Sequence, residues 1–133
     1  MKQPRVGCGA AVVVDGKILL MRRLTDPEAG AWGLAGGKID FGETAAHAAE
    51  REILEELGIA IRAGDLLCFV DQIDLDAGTH WVSPVYLATA YCGEPRIMEP
   101  AKCGGLDWFD LARPPSPLTA AAATALRALA ARS

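Results

Sequence analysis

A chain of 133 residues, 51% hydrophobic and 23% charged, is long enough to bury a real core, and its length suits one domain spanning residues 1–133 rather than two. Its net charge of −4 and pI near 5.1 argue against a nucleic-acid polymer as partner, because polyphosphate backbones are held by basic surfaces. No stretch reaches the roughly 18 uninterrupted apolar residues of a membrane span; Thr119, Thr124 and Arg127 interrupt the alanine-rich tail, and residues 1–5 lead into a strand rather than a signal-peptide core.

Residues 6–14 and 17–23 are β-rich runs joined by Asp15-Gly16, a strong signal for a two-residue hairpin. The stretch 24–31 carries Thr25, Asp26, Pro27 and Gly30 and reads as an exposed, substrate-facing connection. Trp32-Gly33-Leu34 follows, then Ala35-Gly36-Gly37, where paired glycines let the backbone pass close to a ligand and turn its carbonyls inward. A helix is predicted from about Thr44 to a C-cap at Gly58. Strands are predicted near 59–61, 66–75, 81–92 and 105–109. A last helix over 118–131 would dock through Leu118, Ala122, Leu126 and Leu129. This order implies a mixed sheet covered by helices, an α/β fold. The four cysteines, Cys8, Cys68, Cys92 and Cys103, lack CxxC spacing and are accompanied only by His47 and His80; they are expected to be reduced, buried residues of a cytoplasmic protein.

The densest signal runs Gly-x5-Glu-x7-Arg-Glu-Ile-x-Glu-Glu-x-Gly-Ile, from Gly37 through Glu43, Arg51, Glu52, Ile53, Glu55, Glu56 and Gly58 to Ile59. At roughly 100° per residue, Glu52, Glu55 and Glu56 fall within about a third of a turn and share one helix face. Stacked carboxylates cost an isolated helix roughly 0.2–0.5 kcal/mol per i,i+4 pair, so this face calls for a compensating cation or long basic side chains nearby, more than Arg51 alone supplies. Ala45, Ala48 and Ala49 lie on the same side toward the N-terminus, where small residues would leave room for a ligand, while Ile53, Leu57 and Ala46 form the buried stripe. Hard oxygen donors without Cys or His select Mg²⁺ or Mn²⁺ over zinc. Seven fixed Gly, Glu and Arg positions, each at about 6% usage, coincide on the order of once in a billion placements.

This string resembles the signature of the Nudix hydrolases at every defined position. The resemblance implies hydrolysis of a nucleoside diphosphate linked to another moiety, with Mg²⁺ or Mn²⁺ held by a loop-helix-loop on an α/β/α sandwich. By the same resemblance, Glu52, Glu55 and Glu56 are the metal-binding set and the main-chain carbonyl of Gly36 is a further ligand. Glu52 would ligate the metal, hold a water beside it, or act as general base. Glu43 and Arg51 resemble an ion pair that orients the helix, and Glu43 also suits its positive N-terminus. The chain departs from many members in carrying Ala35 where proline precedes the paired glycines.

Substrate identity rests on less specific stretches. Leu19-Leu20-Met21-Arg22-Arg23, residues 36–44, residues 94–103 and Leu106-Asp107-Trp108-Phe109 resemble small Nudix enzymes acting on nucleoside triphosphates, including guanine, oxidised-guanine and thiopurine nucleotides. That likeness implies a nucleoside monophosphate and pyrophosphate as products. It makes Arg23, Gly37 and Lys38 candidates for contacting the substrate, and Ser83 and Leu118 candidates for the base pocket. Glu99 is a candidate for an extra acid from a later loop, although Lys102 stands where alignment with mutator-type enzymes suggests that acid. Trp32 is either a stacking platform or core. ADP-ribose, dinucleoside polyphosphates and nucleotide sugars share the same motif, and a catalytically silent nucleotide-binding module is the alternative of another class. A mean hydropathy of +0.19, together with the subgroup likeness, is compatible with a homodimer.

Overall fold

The computed structural model describes residues 2–132. Strands β1 (Arg5–Val14) and β2 (Lys17–Arg23) are joined by Asp15 and Gly16, both at positive φ (53° and 74°), the turn that suits a twisted two-residue hairpin. Pairing between these strands is confined to Val13 with Ile18 and Val14 with Lys17. Beyond it they part. β1 takes β4 (Ala35–Lys38) as an antiparallel neighbour and β7 (Thr79–Ala88) as a parallel one, while β2 pairs antiparallel with β3 (Trp32–Gly33) and β9 (Cys103–Asp110). β6 (Leu66–Asp74) closes the far edge against β7, completing a mixed seven-stranded sheet.

The two central strands are apolar on both faces because both faces are covered. Along β1, Ala10 and Val12 face helix α1 (Ala45–Leu57), together with Leu19, Met21, Ala35, Ile53, Leu57 and Ile59. Ala11, with Ile18, Leu20, Val70 and Val85, faces helix α2 (Ala120–Arg132) through Ala122 and Ala125. Strand alternation therefore builds two cores back to back, the α/β/α arrangement that the family resemblance implies.

Several expectations shift in detail. The run predicted as one strand over 81–92 divides into β7 and β8 (Tyr91–Cys92). Leu87 pairs its backbone with Gly64 and Asp65, after which the chain turns to pair with β5 (Ala60–Ile61) in a separate two-stranded sheet. The last helix begins two residues later than predicted. Leu118 instead forms a parallel bridge with Trp32, and the buried Thr119 starts the helix by accepting from the Ala122 N–H at 3.1 Å. At the other helix, Thr44 caps the start by accepting from the His47 N–H at 3.2 Å, and Gly58 ends it at φ 70°.

One expectation is overturned: Ala48 and Ala49 do not leave room for a ligand. Both are fully buried against Cys8, Ile39 and Tyr86, so their small size lets α1 lie close on the sheet. All four cysteines are free; Cys8 and Cys103 are buried and Cys68 is half-buried, but Cys92 is exposed because β8 lies on the small peripheral sheet. Among the described residues no helix is long and apolar enough to cross a membrane.

Candidate active site

Where β1 and β2 separate, they leave a cleft of about 430 Å³ between the end of β2, strand β4 and the outer face of α1. Glu52, Glu55, Glu56 and Glu99 line it together with Arg23, Lys38, Lys102, Gly36 and Gly37. Residues far apart in sequence thus converge: a helix supplies three acids, the glycine strand one wall, and the segment before β9 both Glu99 and Lys102, which form an ion pair at 3.6 Å. The likeness-based candidate Glu99 is brought to the same cleft as the helix acids, and Lys102, which no substrate assignment included, stands beside it.

The arrangement is organised by Arg51. Its guanidinium makes two hydrogen bonds to Glu43, Nε to Oε2 at 2.6 Å and Nη2 to Oε1 at 2.9 Å, the fork geometry in which arginine binds carboxylate best. Nη1 donates to Glu52 at 3.0 Å and to Glu55 at 3.3 Å, while Nη2 also donates to the Lys38 carbonyl at 3.0 Å. Glu43 in turn accepts from the Asp40 N–H at 3.0 Å. Arginine contact, reinforced by that N–H, holds the Glu43 carboxyl at about 2, well below its ordinary range, and the Glu43 contact raises the pKa of Arg51. One cation therefore fixes the helix, the loop before it and the end of β4.

Glu56 lies deepest. Its Oε2 accepts from the Gly36 N–H at 2.9 Å. Burial, with the nearby charges of Glu52 and Glu99, pushes its pKa up to about 8 despite that N–H and Lys102. Burial also raises Glu52, against the pull of Arg51. The paired glycines lie in strand β4, and each is required for a different reason. A Cβ on Gly36 would strike the Cys8 carbonyl, whereas one on Gly37 would meet the Glu52 carboxylate at 2.5 Å. Cys8, behind this strand, is kept a thiol by burial, its pKa pushed up to about 11.

The donor chemistry fits a hard divalent cation: four carboxylates line one cleft, and buried Glu56 needs positive charge to ionise near neutral pH. Among the described residues, no three acidic, His or Cys side chains are grouped at a single metal-holding point, and Arg51 pairs with Glu52 and Glu55.

A second groove of about 280 Å³ continues from the cleft through the shared residues Arg23, Gly37 and Lys38, and is walled by Ser83, Trp81, Gln72, Glu28 and Pro27. Ser83, a candidate for the base pocket, lines this second groove and not the carboxylate cleft. Gly7 makes room there, since a Cβ would meet Ser83 Oγ at 2.7 Å. Leu118 and Trp32 stand elsewhere. Both pack in the α2-side core, Trp32 edge-on to Phe109 with centroids 4.9 Å apart. Trp81, Gln72 and Glu28 were not singled out from sequence. Only the alternation of β6 and β7 carried a signal for the first two, and it names a face rather than a site.

A mixed sheet between two helices, with an acid-bearing helix beside a glycine strand, defines a Nudix-type α/β domain. A family model described as the NUDIX domain matches residues 2–129, and the chain belongs to that family. A MutT NUDIX hydrolase from Burkholderia pseudomallei has a solved structure that is 57% identical, covering 96% of this chain and 98% of that one, with a TM-score of 0.93. Among curated proteins, an ADP-ribose pyrophosphatase of Methanocaldococcus jannaschii is 34% identical over 81% of this chain, and an oxidized purine nucleoside triphosphate hydrolase of Danio rerio is 34% identical over 78%. This chain spans 63% and 65% of the lengths of those two curated relatives.

Proposed function

We propose that residues 1–133 form a single-domain pyrophosphohydrolase that converts a (deoxy)nucleoside triphosphate to a nucleoside monophosphate and pyrophosphate, with Mg²⁺ or Mn²⁺ as cofactor. The observation that carries this reading is the convergence of Glu52, Glu55, Glu56 and Glu99 with Arg23, Lys38 and Lys102 in one cleft. Carboxylates suited to a hard cation stand beside side chains suited to phosphate oxygens. In this reading Glu55, Glu56 and the Gly36 carbonyl would hold the metal, with Glu52 or Glu99 as the further ligand. Bound there, the divalent cation supplies charge neutralisation at phosphorus. Arg23, Lys38 and Lys102 hold and orient the phosphates. Water forms one P–O bond as one anhydride P–O bond breaks, and its proton passes to Glu52 or Glu99, whichever acts as base. Glu43 and Arg51 act by keeping the helix acids in place. The groove at Trp81 and Ser83 takes the base.

Incubation with Mg²⁺ and a nucleotide panel, with products separated by chromatography, tests the reading: pyrophosphate released from dNTPs supports it, and AMP with ribose phosphate from ADP-ribose would replace it. The ADP-ribose reading draws on the archaeal relative's name. A silent binding module would hydrolyse nothing with either metal; presence of every carboxylate of the motif weighs against it. Free cysteines support a cytoplasmic setting. Exposed Leu66, Phe69 and Ile73 on edge strand β6 support a homodimer, which light scattering tests.

A further inference from the structure

The loop over residues 24–31 is pinned at Glu28, a wall residue of the second groove. Glu28 holds φ at 65°, a left-handed conformation sparsely populated by non-glycine residues and kept where the surroundings over-determine it. Both oxygens of its side chain are engaged. Oε1 accepts from Gln72 Nε2 on β6 at 2.9 Å, and Oε2 accepts from the N–H of Ala120, the first residue of α2, at 2.8 Å. These partners lie 44 and 92 positions away, so the loop is tied to a sheet edge and a helix end rather than to itself. The acid also meets the positive end of the α2 dipole.

One residue earlier, the Pro27 carbonyl accepts from Arg23 Nε at 2.8 Å. The same loop is closed at its base by the Arg23 N–H on the Ala31 carbonyl (2.9 Å) and the Gly30 N–H on the Arg23 carbonyl (2.7 Å). Arg23 lines the carboxylate cleft. Its long side chain would otherwise sample many rotamers; engaging Nε on a fixed carbonyl narrows that choice.

We infer that Glu28 is a positioning residue: by clamping the loop to Gln72 and Ala120 it fixes the Pro27 carbonyl, and through it aims the Arg23 guanidinium at phosphate in the cleft. The inference rests on the phosphate-hydrolysing reading above. Its bland rival is that Glu28 merely caps α2.

Steady-state kinetics on full-length Glu28→Ala, Glu28→Gln, Arg23→Ala and the Glu28→Ala/Arg23→Ala double variant separate the two. In Glu28→Ala, KM for the nucleotide is expected to rise about tenfold with kcat within about twofold, the pattern of lost ground-state binding. Glu28→Gln, which keeps one acceptor oxygen, falls between, and the double variant is no worse than Arg23→Ala alone. The Arg23 Nε–H resonance, identified by its loss in Arg23→Ala, is expected to be protected from solvent exchange in the unliganded protein and to lose that protection in Glu28→Ala. That readout needs no substrate. A panel showing no turnover would therefore defeat the functional reading while the resonance still judges the clamp. Unchanged Arg23 protection in Glu28→Ala, additive KM losses in the double variant, or a fall in thermal stability with KM and resonance unmoved would each overturn the inference.

Discussion

Arg51 touches Glu43, Glu52 and Glu55 at once, so its loss is felt by the whole acid face. Lysine cannot reproduce the two-pronged contact with Glu43. Arg51→Lys should lower kcat/KM by about 10²-fold or more, with the fold retained in circular dichroism. The Glu43 contact also sets an acid limit. A carboxyl held at about 2, against an ordinary 4.5, contributes stability that is full above 4.5 and lost as pH falls toward 2. Denaturant midpoints between pH 5 and 2.5 should therefore fall more steeply in the native protein than in Arg51→Lys. Glu56 has the opposite sign. The unfolded chain releases that proton near 4.5 and the folded one only near 8, so without a cation stability is greatest below 4.5 and declines as pH rises to 8. In chelator, Glu56→Gln should flatten that decline. Adding Mg²⁺ should raise the native Tm increasingly from pH 6 to 9, by about several degrees, and leave the Gln variant unmoved. A Mg²⁺ effect equal in both proteins would remove Glu56 from the ligand set.

At the scale of elements, β4 is where sequence and structure inform each other most. Paired glycines in a strand weaken it, so their presence marks a close approach, and the two approaches differ in kind. Gly36→Ala sets a methyl against the backbone of β1, which cannot yield, and should destabilise the fold by about 3 kcal/mol or more in urea titration. Gly37→Ala meets the Glu52 carboxylate first, a side chain able to swing away. It should fold nearly normally and lose activity. The acid-bearing helix and its C-cap, the hairpin turn and most strand positions were legible because each is written in local chemistry: Gly58, Asp15-Gly16 and alternating apolar runs. The alanines of α1 were not, because a small side chain reads equally as space for a ligand or as close contact, and only the sheet beneath decides; Ala48 and Ala49 lie on Cys8 and Tyr86. Their enlargement should be costly: Ala49→Leu is expected to lower stability by about 1–3 kcal/mol, since the helix must lift from β1. The division of 81–92 was likewise hidden, as a strand that changes partner keeps its β-rich composition. The helix acids were found by their period. Glu99 needed a family likeness to be considered and the fold to be placed, and Glu28 carried no local mark, since its partners are distant in the chain.

Across the whole molecule, the cleft where β1 parts from β2 is followed by two open grooves that share lining residues with their neighbours, and the lining changes chemically along them. The cleft, at the inner end, has carboxylates with Arg23, Lys38 and Lys102, and the groove next to it has Trp81, Ser83 and Gln72. Beyond Trp81 the lining turns acidic and apolar, with Glu28, Asp74, Asp76, Ile73 and Leu75. In the proposed reading the phosphates take the inner end and the base lies toward Trp81. Of the three tryptophans, Trp32 is packed edge-on to Phe109 and Trp108 against Tyr91, whereas Trp81 borders the groove, with Arg5 5.8 Å from its ring centre. Tryptophan emission should therefore report the base alone. Titration with a nucleoside monophosphate is expected to change the fluorescence and titration with pyrophosphate to leave it unchanged, although both enter the same cleft. Trp81→Phe should abolish the nucleotide signal while raising KM only about three- to tenfold, because phenylalanine keeps a stacking face. A response to pyrophosphate equal to that of the nucleotide would show that the ring senses closure around phosphate instead, and would move the base to another wall.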